Sequence, residues 1–118
     1  MVLNTGYDRS TAEKLIDKIG WSIGGNIDGL VTASDVSKGR PGPEMIQLAM
    51  KRTGVANAEA VVKIGDSQID IVEGKNAECG LTFGITTGAQ TEAMLRVASP
   101  SYVVQSLSEF LALISNPP

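Results

Sequence analysis

The stretch that decides the fold is residues 61–71, VVKIGDSQIDI. It is an apolar run that ends in glycine and a carboxylate and then turns helical, which is the pattern of a buried parallel strand followed directly by a helix. In open α/β sheets, ligands bind beyond the carboxyl ends of such strands. We therefore expect Asp66 to stand at the rim of a binding site.

Asp70 lies one helical turn beyond Asp66, close enough for both carboxylates to face the same point. Two oxygen ligands from a rigid turn suit a hard cation such as Mg²⁺. The alternative is that Asp66 is only the N-cap of the helix, with Ser67 beside it. The spacing alone leaves both interpretations open.

The composition describes an ordinary globular protein. The 118 residues can build one domain spanning 1–118, and shares of 42% hydrophobic and 19% charged residues are typical of soluble proteins. A net charge of −3 offers no basic surface, so we expect no nucleic-acid partner. No apolar stretch approaches about 18 residues and no leader follows Met1, so we expect no membrane partner and a cytoplasmic location.

Two features of the composition narrow the chemistry. The sequence has no histidine, which removes the commonest general base and zinc ligand. Cys79 is the only cysteine, so no internal disulfide can form, and we interpret it as a small hydrophobic residue rather than a nucleophile. Any reaction must therefore use carboxylates, hydroxyls, amines and a hard metal.

Strand and helix patterns alternate along the chain. The predicted elements are strand 1–5, helix 11–19, strand 27–33, helix 43–53, strand 61–65, helix 67–79, strand 81–85, helix 91–97, strand 102–104 and helix 106–114. This alternation predicts an α/β fold: a three-layer, Rossmann-like parallel sheet with helices on both faces.

Helix ends and faces are predicted from capping residues and spacing. Asp8 or Ser10 can cap the first helix, and Gly80 is expected to stop the helix 67–79. The residues expected to face inward are Ile69, Val72 and Ala77 in that helix, and Leu107, Phe110, Leu111 and Ile114 in the last one.

Residues 37–43, SKGRPGP, form a loop, because two prolines remove backbone donors and two glycines loosen the chain. The loop carries Lys38 and Arg40. Each of these residues alone is typical of a solvated loop charge. Their position just before a helix, in a chain with carboxylate clusters, favours a functional role for one of them.

Three segments together resemble a known family. Residues 3–6 (LNTG), 39–43 (GRPGP) and 65–70 (GDSQID) look, in this order and at these separations, like the second, third and fourth motifs of the haloacid dehalogenase superfamily. The resemblance covers nearly the whole chain. Features similar to the phosphonoacetaldehyde hydrolases and phosphonatase-like hydrolases are the arginine of GRPGP, Asp28, the segment 34–36 (SDV) and the segment 84–88 (GITTG).

The resemblance implies a role for each matching residue. Thr5 would donate its hydroxyl to phosphoryl oxygens, and Thr5, Gly6 and Arg40 would form the phosphate-binding set. Arg40 would take the place of the usual lysine and neutralise the phosphoryl group and the nucleophile. Asp66 would be a ligand of Mg²⁺, and Asp70 would support the metal directly, through water, or by orienting the loop.

One motif of the superfamily has no counterpart. The first motif is an aspartate nucleophile in an Asp-x-Asp/Ala-Gly-Thr turn, and it precedes the threonine motif. The nearest imitation is residues 26–30, NIDGL, in which an asparagine stands in the nucleophile's place and cannot form an acyl phosphate. By the same resemblance, we expect the 118 residues to lack the family's helical cap, which carries the Schiff-base lysine in phosphonoacetaldehyde hydrolases.

We therefore expect the C-terminal part of the core domain of a longer hydrolase, produced by design, by proteolysis or by a misassigned gene start. The parent would use Mg²⁺ and an aspartyl-phosphate intermediate to hydrolyse a small phosphorylated or phosphonate substrate, and the chain alone would be inactive. In the family's sheet the nucleophile strand lies between the threonine strand and strand 61–65. We thus expect an incomplete sheet, which the missing N-terminal segment or another copy would complete.

Two other classes stay open. One is a naturally truncated, non-catalytic metal-binding or interaction module. The other is a receiver-like phosphoacceptor domain, which would need acidic residues at the end of its first strand, where the chain has only LNT at 3–5.

Overall fold

The chain alternates strands and helices in a computed structural model that describes residues 1–25 and 27–115. The elements are β1 (Val2–Thr5), α1 (Arg9–Lys18), β2 (Gly29–Thr32), α2 (Glu44–Thr53), β3 (Val62–Gly65), α3 (Gln68–Asn76), β4 (Leu81–Ile85), α4 (Glu92–Arg96), β5 (Tyr102–Val104) and α5 (Leu107–Ser115). Short 3₁₀ turns cover Ala33–Asp35 and Ala58–Ala60. The predicted α/β class is confirmed.

All strand pairs are parallel, and the strands form two sheets rather than one. β1 pairs with β2, and the second sheet has the order β3-β4-β5. Thr5 lies opposite Thr32 at the carboxyl end of the first sheet, and Gly65 lies opposite Gly84 in the second. Within the described residues, β1 and β3 each have one edge without a strand partner, as expected for an incomplete sheet.

The core of the second sheet is built on Phe83. Its ring stacks on Tyr102 at 5.2 Å between centroids and meets Phe110 edge-on at 4.9 Å. Ile85 and Val104 complete the buried cluster from the same two strands. This packing holds β4 and β5 together and supports β3 beside them.

The outer edge of the first sheet is covered by arginines. The carbonyl of Leu30 in β2 accepts hydrogen bonds from Arg9 Nη2 at 3.1 Å and from Arg52 Nη1 at 3.2 Å. An exposed strand edge invites pairing with other chains, and cationic side chains over the edge oppose such pairing. The described part of the chain contains no helix long and apolar enough to cross a membrane.

The end of α3 differs from the prediction. The helix ends at Asn76 rather than at Cys79, because Glu78 adopts a left-handed φ of 62° and the N–H of Cys79 bonds back to Gly74 at 3.0 Å. Gly80 is therefore not the helix stop. It is small for another reason, since a Cβ there would overlap the backbone of Glu59.

Two predicted inward faces are partly wrong. In α3, Ile69 is 49% exposed and Val72 is half-buried, while Ile71 and Glu73 are buried. Ala77, the residue that follows α3, is buried as predicted. In α5, the residues packed on the core are Phe110 and Leu113. The exposed ones are Leu107, Leu111 and Ile114.

Candidate active site

Thr5 stands at the carboxyl end of β1, where its Oγ1 accepts a hydrogen bond from the N–H of Tyr7 at 3.2 Å. The carbonyl of Tyr7 in turn accepts from the N–H of Ala33 at 3.1 Å. These bonds tie the turn after β1 to the turn after β2. Asp8, one of the two predicted caps, then starts α1 by accepting from the N–H of Thr11 at 2.8 Å.

An ion pair between Arg9 and Asp35 stabilises the turn that follows β2. Arg9 donates to both carboxylate oxygens of Asp35, at 2.7 Å from Nη2 and 3.3 Å from Nε. The same carboxylate accepts from the N–H of Thr32 at 2.8 Å. The hydrogen bonds from Arg9 lower the pKa of Asp35 to about 2. We did not predict this pair, although the residues at 34–36 carry part of the family resemblance.

The turn between β3 and α3 is a capping box. Ser67 is the N-cap of α3, and its N–H and Oγ both donate to Asp70 Oδ2, at 3.1 and 2.9 Å. The Asp70 side chain folds back over Gly65, where a Cβ would overlap it. The alternative in which Asp66 is only the helix cap is therefore wrong.

Asp66 is exposed at the rim of the second sheet. Its carboxylate rests against Gly88, at the end of the turn that follows β4, and a Cβ on Gly88 would overlap it. Within the described residues, no hydrogen bond or ion pair engages this carboxylate. Asp66 is therefore available to a ligand.

Arg40 reaches this site from the glycine- and proline-rich loop. Its Nη2 donates to Asp70 Oδ1, and its Nε lies 3.3 Å from Glu73 Oε1 but is not aligned for a hydrogen bond. With 23% of its side chain exposed, Arg40 is not a solvated loop charge. Lys38 is exposed and has no ion-pair partner in the described part of the chain, as a solvated loop charge would.

Three further polar side chains, which we did not predict, join Arg40 and Asp70 in a buried charge cluster. Lys63 Nζ lies 3.2 Å from Glu73 Oε1, 3.6 Å from Asp70 Oδ1 and 2.7 Å from Asn4 Oδ1. Asn4 Nδ2 donates to Glu73 Oε2 at 3.0 Å. The cluster, formed by Asn4, Arg40, Lys63, Asp70 and Glu73, joins the strand that ends in Thr5 to the turn that carries Asp66.

The donor set fits part of a Mg²⁺ shell. Across residues 1–25 and 27–115, no group of three or more His, Cys, Asp or Glu residues is placed to hold a metal ion. Asp66 offers one free carboxylate, whereas both oxygens of Asp70 are engaged by Ser67 and Arg40. Because Mg²⁺ keeps several waters in most protein sites, one such ligand is compatible with binding.

Two other sequence predictions concern residues outside this site. Burial raises the pKa of the Cys79 thiol, which disfavours the thiolate and agrees with its interpretation as a hydrophobic residue. Asn26, which occupies the nucleophile's place in the NIDGL comparison, lies outside the described residues.

The sequence model of one family, described as haloacid dehalogenase-like hydrolase, matches residues 2–92. The chain belongs to the haloacid dehalogenase-like hydrolase family. A phosphonoacetaldehyde hydrolase of Parabacteroides distasonis is 42% identical over 72% of this chain and 31% of that protein. A phosphonoacetaldehyde hydrolase of Latilactobacillus sakei is 29% identical over 94% of the chain and 50% of that protein. The pyrophosphatase PpaX of Bacillus velezensis is 37% identical over 75% of the chain and 40% of that protein.

Solved structures share the fold of this family member. A hydrolase from Pseudomonas syringae matches with a TM-score of 0.84 and 23% identity, over 98% of this chain and 51% of that one. A phosphonoacetaldehyde hydrolase-like protein from Oleispira antarctica matches with a TM-score of 0.79 and 22% identity, over 98% of this chain and 49% of that one. The chain thus spans about half the length of these relatives, or less.

Proposed function

We propose that the chain is the phosphate- and metal-binding part of a Mg²⁺-dependent hydrolase that acts on a small phosphorylated or phosphonate substrate. The observation that carries the proposal is the ion pair of Arg40 with Asp70, which brings a cation from a distant loop to the turn that exposes Asp66. Family membership and relatives named phosphonoacetaldehyde hydrolase and pyrophosphatase support it.

Thr5, Gly6 and Arg40 are the proposed phosphate-binding residues. The Thr5 oxygen accepts from the N–H of Tyr7, and within the described residues its hydroxyl donates to no acceptor, so the hydroxyl hydrogen can be donated to a phosphoryl oxygen. A guanidinium has five N–H donors, and within the described residues Arg40 uses only one nitrogen, in its hydrogen bond to Asp70. Its fixed charge and remaining donors suit a phosphoryl group, whose transfer depends on positioning and charge neutralisation.

Asp66 is the proposed Mg²⁺ ligand, and Asp70 the residue that orients it. Of the three roles implied for Asp70, its contacts with Ser67 and Arg40 favour orientation of the loop. Bound Mg²⁺ would supply charge neutralisation at the phosphoryl oxygens. The attacking group would be an aspartate that becomes an aspartyl phosphate, and no Asp-x-Asp/Ala-Gly-Thr segment occurs in the 118 residues.

Complementation tests this proposal. A synthetic peptide with an Asp-x-Asp/Ala-Gly-Thr strand, added to the chain with Mg²⁺ and an aryl phosphate, should restore hydrolysis, and Arg40→Gln or Asp66→Ala should abolish it. Lys38→Gln is the matched control in the same loop and should leave the rate unchanged. Hydrolysis by the chain without the peptide, lost in Asp66→Ala, would contradict the assignment of the nucleophile to another segment.

The edges of β1 and β3 that have no strand partner within the described residues favour a second candidate, a non-catalytic module that accepts a strand or binds a metal. This candidate predicts that the peptide raises the melting temperature without bringing activity. A variant peptide with the attacking aspartate replaced by asparagine separates the two functions, because it should stabilise equally and never support turnover.

A further inference from the structure

We propose that Lys63 is a positioning residue that balances the carboxylates of the buried charge cluster, so that the charge of Arg40 stays available to a phosphoryl group. This inference rests on the proposed function of Arg40. It adds Lys63 and Glu73 to a site that the motifs had limited to Thr5, Gly6, Arg40 and the two aspartates.

The geometry places Lys63 between the same two carboxylates that Arg40 faces. Its Nζ is 3.2 Å from Glu73 Oε1 and 3.6 Å from Asp70 Oδ1, and only 10% of its side chain is exposed. The Glu73 side chain is completely buried, and in the part of the chain that the structure describes its Oε1 makes no aligned hydrogen bond, although both cations lie within 3.3 Å. Both cations therefore share the same negative charge.

The charge count gives the reason for Lys63. Without it, Arg40 would face Asp70 and Glu73 alone, and one positive charge against two buried negative charges would repel an incoming phosphate. With Lys63 the two cations and two carboxylates balance. Within the described residues, Arg40 then makes one hydrogen bond, to Asp70, and its Nη1 keeps its donors for a phosphate, whereas its Nε is buried beside Glu73. Buried charges interact strongly because little solvent screens them.

Asn4 extends this arrangement to the phosphate-binding turn. It accepts from Lys63 and donates to Glu73 through the two ends of one amide, one residue before Thr5. Lys63 therefore fixes Asn4 and the position of β1 at the same time as it balances the carboxylates.

The test is titration of the 118-residue chain with inorganic phosphate, followed by NMR at constant ionic strength and neutral pH. A purely structural role predicts that every change in the cluster weakens binding. Charge balance predicts opposite signs: Lys63→Met should weaken phosphate binding by about threefold to tenfold, Glu73→Gln should strengthen it by a similar factor, and the double variant should return near wild type. Lys75→Met and Glu59→Gln make the same net-charge changes at exposed positions and should have little effect.

Each result bears on a particular claim. Binding by the wild type that is lost in Arg40→Gln, together with tighter binding by Glu73→Gln, supports the inference. If Lys63→Met does not fold, the Glu73→Gln result decides alone, because that change leaves Lys63 paired with Asp70 and Asn4. Equal or weaker binding by Glu73→Gln overturns the inference while leaving the phosphate site intact. Phosphate binding that is absent, or unchanged in Arg40→Gln, overturns the proposed function and this inference with it.

Discussion

Replacing Asp35 by asparagine should destabilise the protein in a pH-dependent way. Asparagine keeps an oxygen that can accept from Thr32 but loses the charge that binds Arg9. The difference between the usual pKa of 3.8 and the value of about 2 in the folded protein corresponds to at most about 2 to 3 kcal/mol. Because 34% of the Arg9 side chain is exposed, solvent screening reduces this figure, and we expect a loss of about 1 kcal/mol at pH 7.

The direction of the pH dependence follows from the lowered pKa. A carboxylate whose pKa is lower in the folded than in the unfolded state contributes stability above its unfolded pKa, and that contribution is lost as the pH falls through the folded pKa. The advantage of wild type over Asp35→Asn should thus be complete above about pH 5. The difference in stability between the two proteins should shrink as the pH falls from 3.8 to about 2.

Urea denaturation followed by the fluorescence of Trp21, the only tryptophan, measures this difference at several pH values. Glu13→Gln is the matched control, because Glu13 also pairs with Arg9, at 3.2 Å, but is 56% exposed. We expect the control to lie within about 0.5 kcal/mol of wild type. A free energy of unfolding for Asp35→Asn equal to that of wild type at pH 7, or a deficit that persists undiminished at pH 2.5, would refute the reasoning.

Three further predictions concern the candidate site and its support. Mg²⁺ should bind the chain with millimolar affinity, on the order of −4 kcal/mol, because Asp66 is one ligand in a mostly hydrated shell. Calorimetry measures this affinity, and micromolar binding that survives Asp66→Ala would contradict the assignment. Gly88→Ala should weaken this Mg²⁺ binding, because the new Cβ overlaps the Asp66 side chain from its carboxylate to its Cβ and must displace it. Unchanged affinity would disprove the contact. Gly80→Ala should lower the free energy of unfolding by about 2 kcal/mol or more, because the new Cβ overlaps the backbone of Glu59. Gly6→Ala is the control: its Cβ would enter open space, so urea denaturation should show a much smaller loss.

The order of elements and the β3–α3 turn were predictable because their signals are local. The contacts that shape the segment 65–70 all lie within it. Gly65 leaves room for the Asp70 side chain, and Ser67 and Asp70, three residues apart, form the capping box of α3. Asp8, one of the two predicted caps, likewise begins α1. Such signals act within one helical turn, so neighbouring residues alone are enough to read them.

The tertiary structure decided which side chains are buried and which charges meet. Helical spacing predicted that Ile69 faces inward, but Glu73 is buried instead. Its charge is compensated by polar side chains from other parts of the chain, namely Asn4, Arg40 and Lys63. No local sequence pattern predicts such a contact, because Asn4 and Glu73 lie 69 positions apart in the sequence. The sequence by itself therefore determined the α/β order and the motif residues. Only packing decided the charge cluster that joins them, because burial of a charge depends on partners that are distant in the chain.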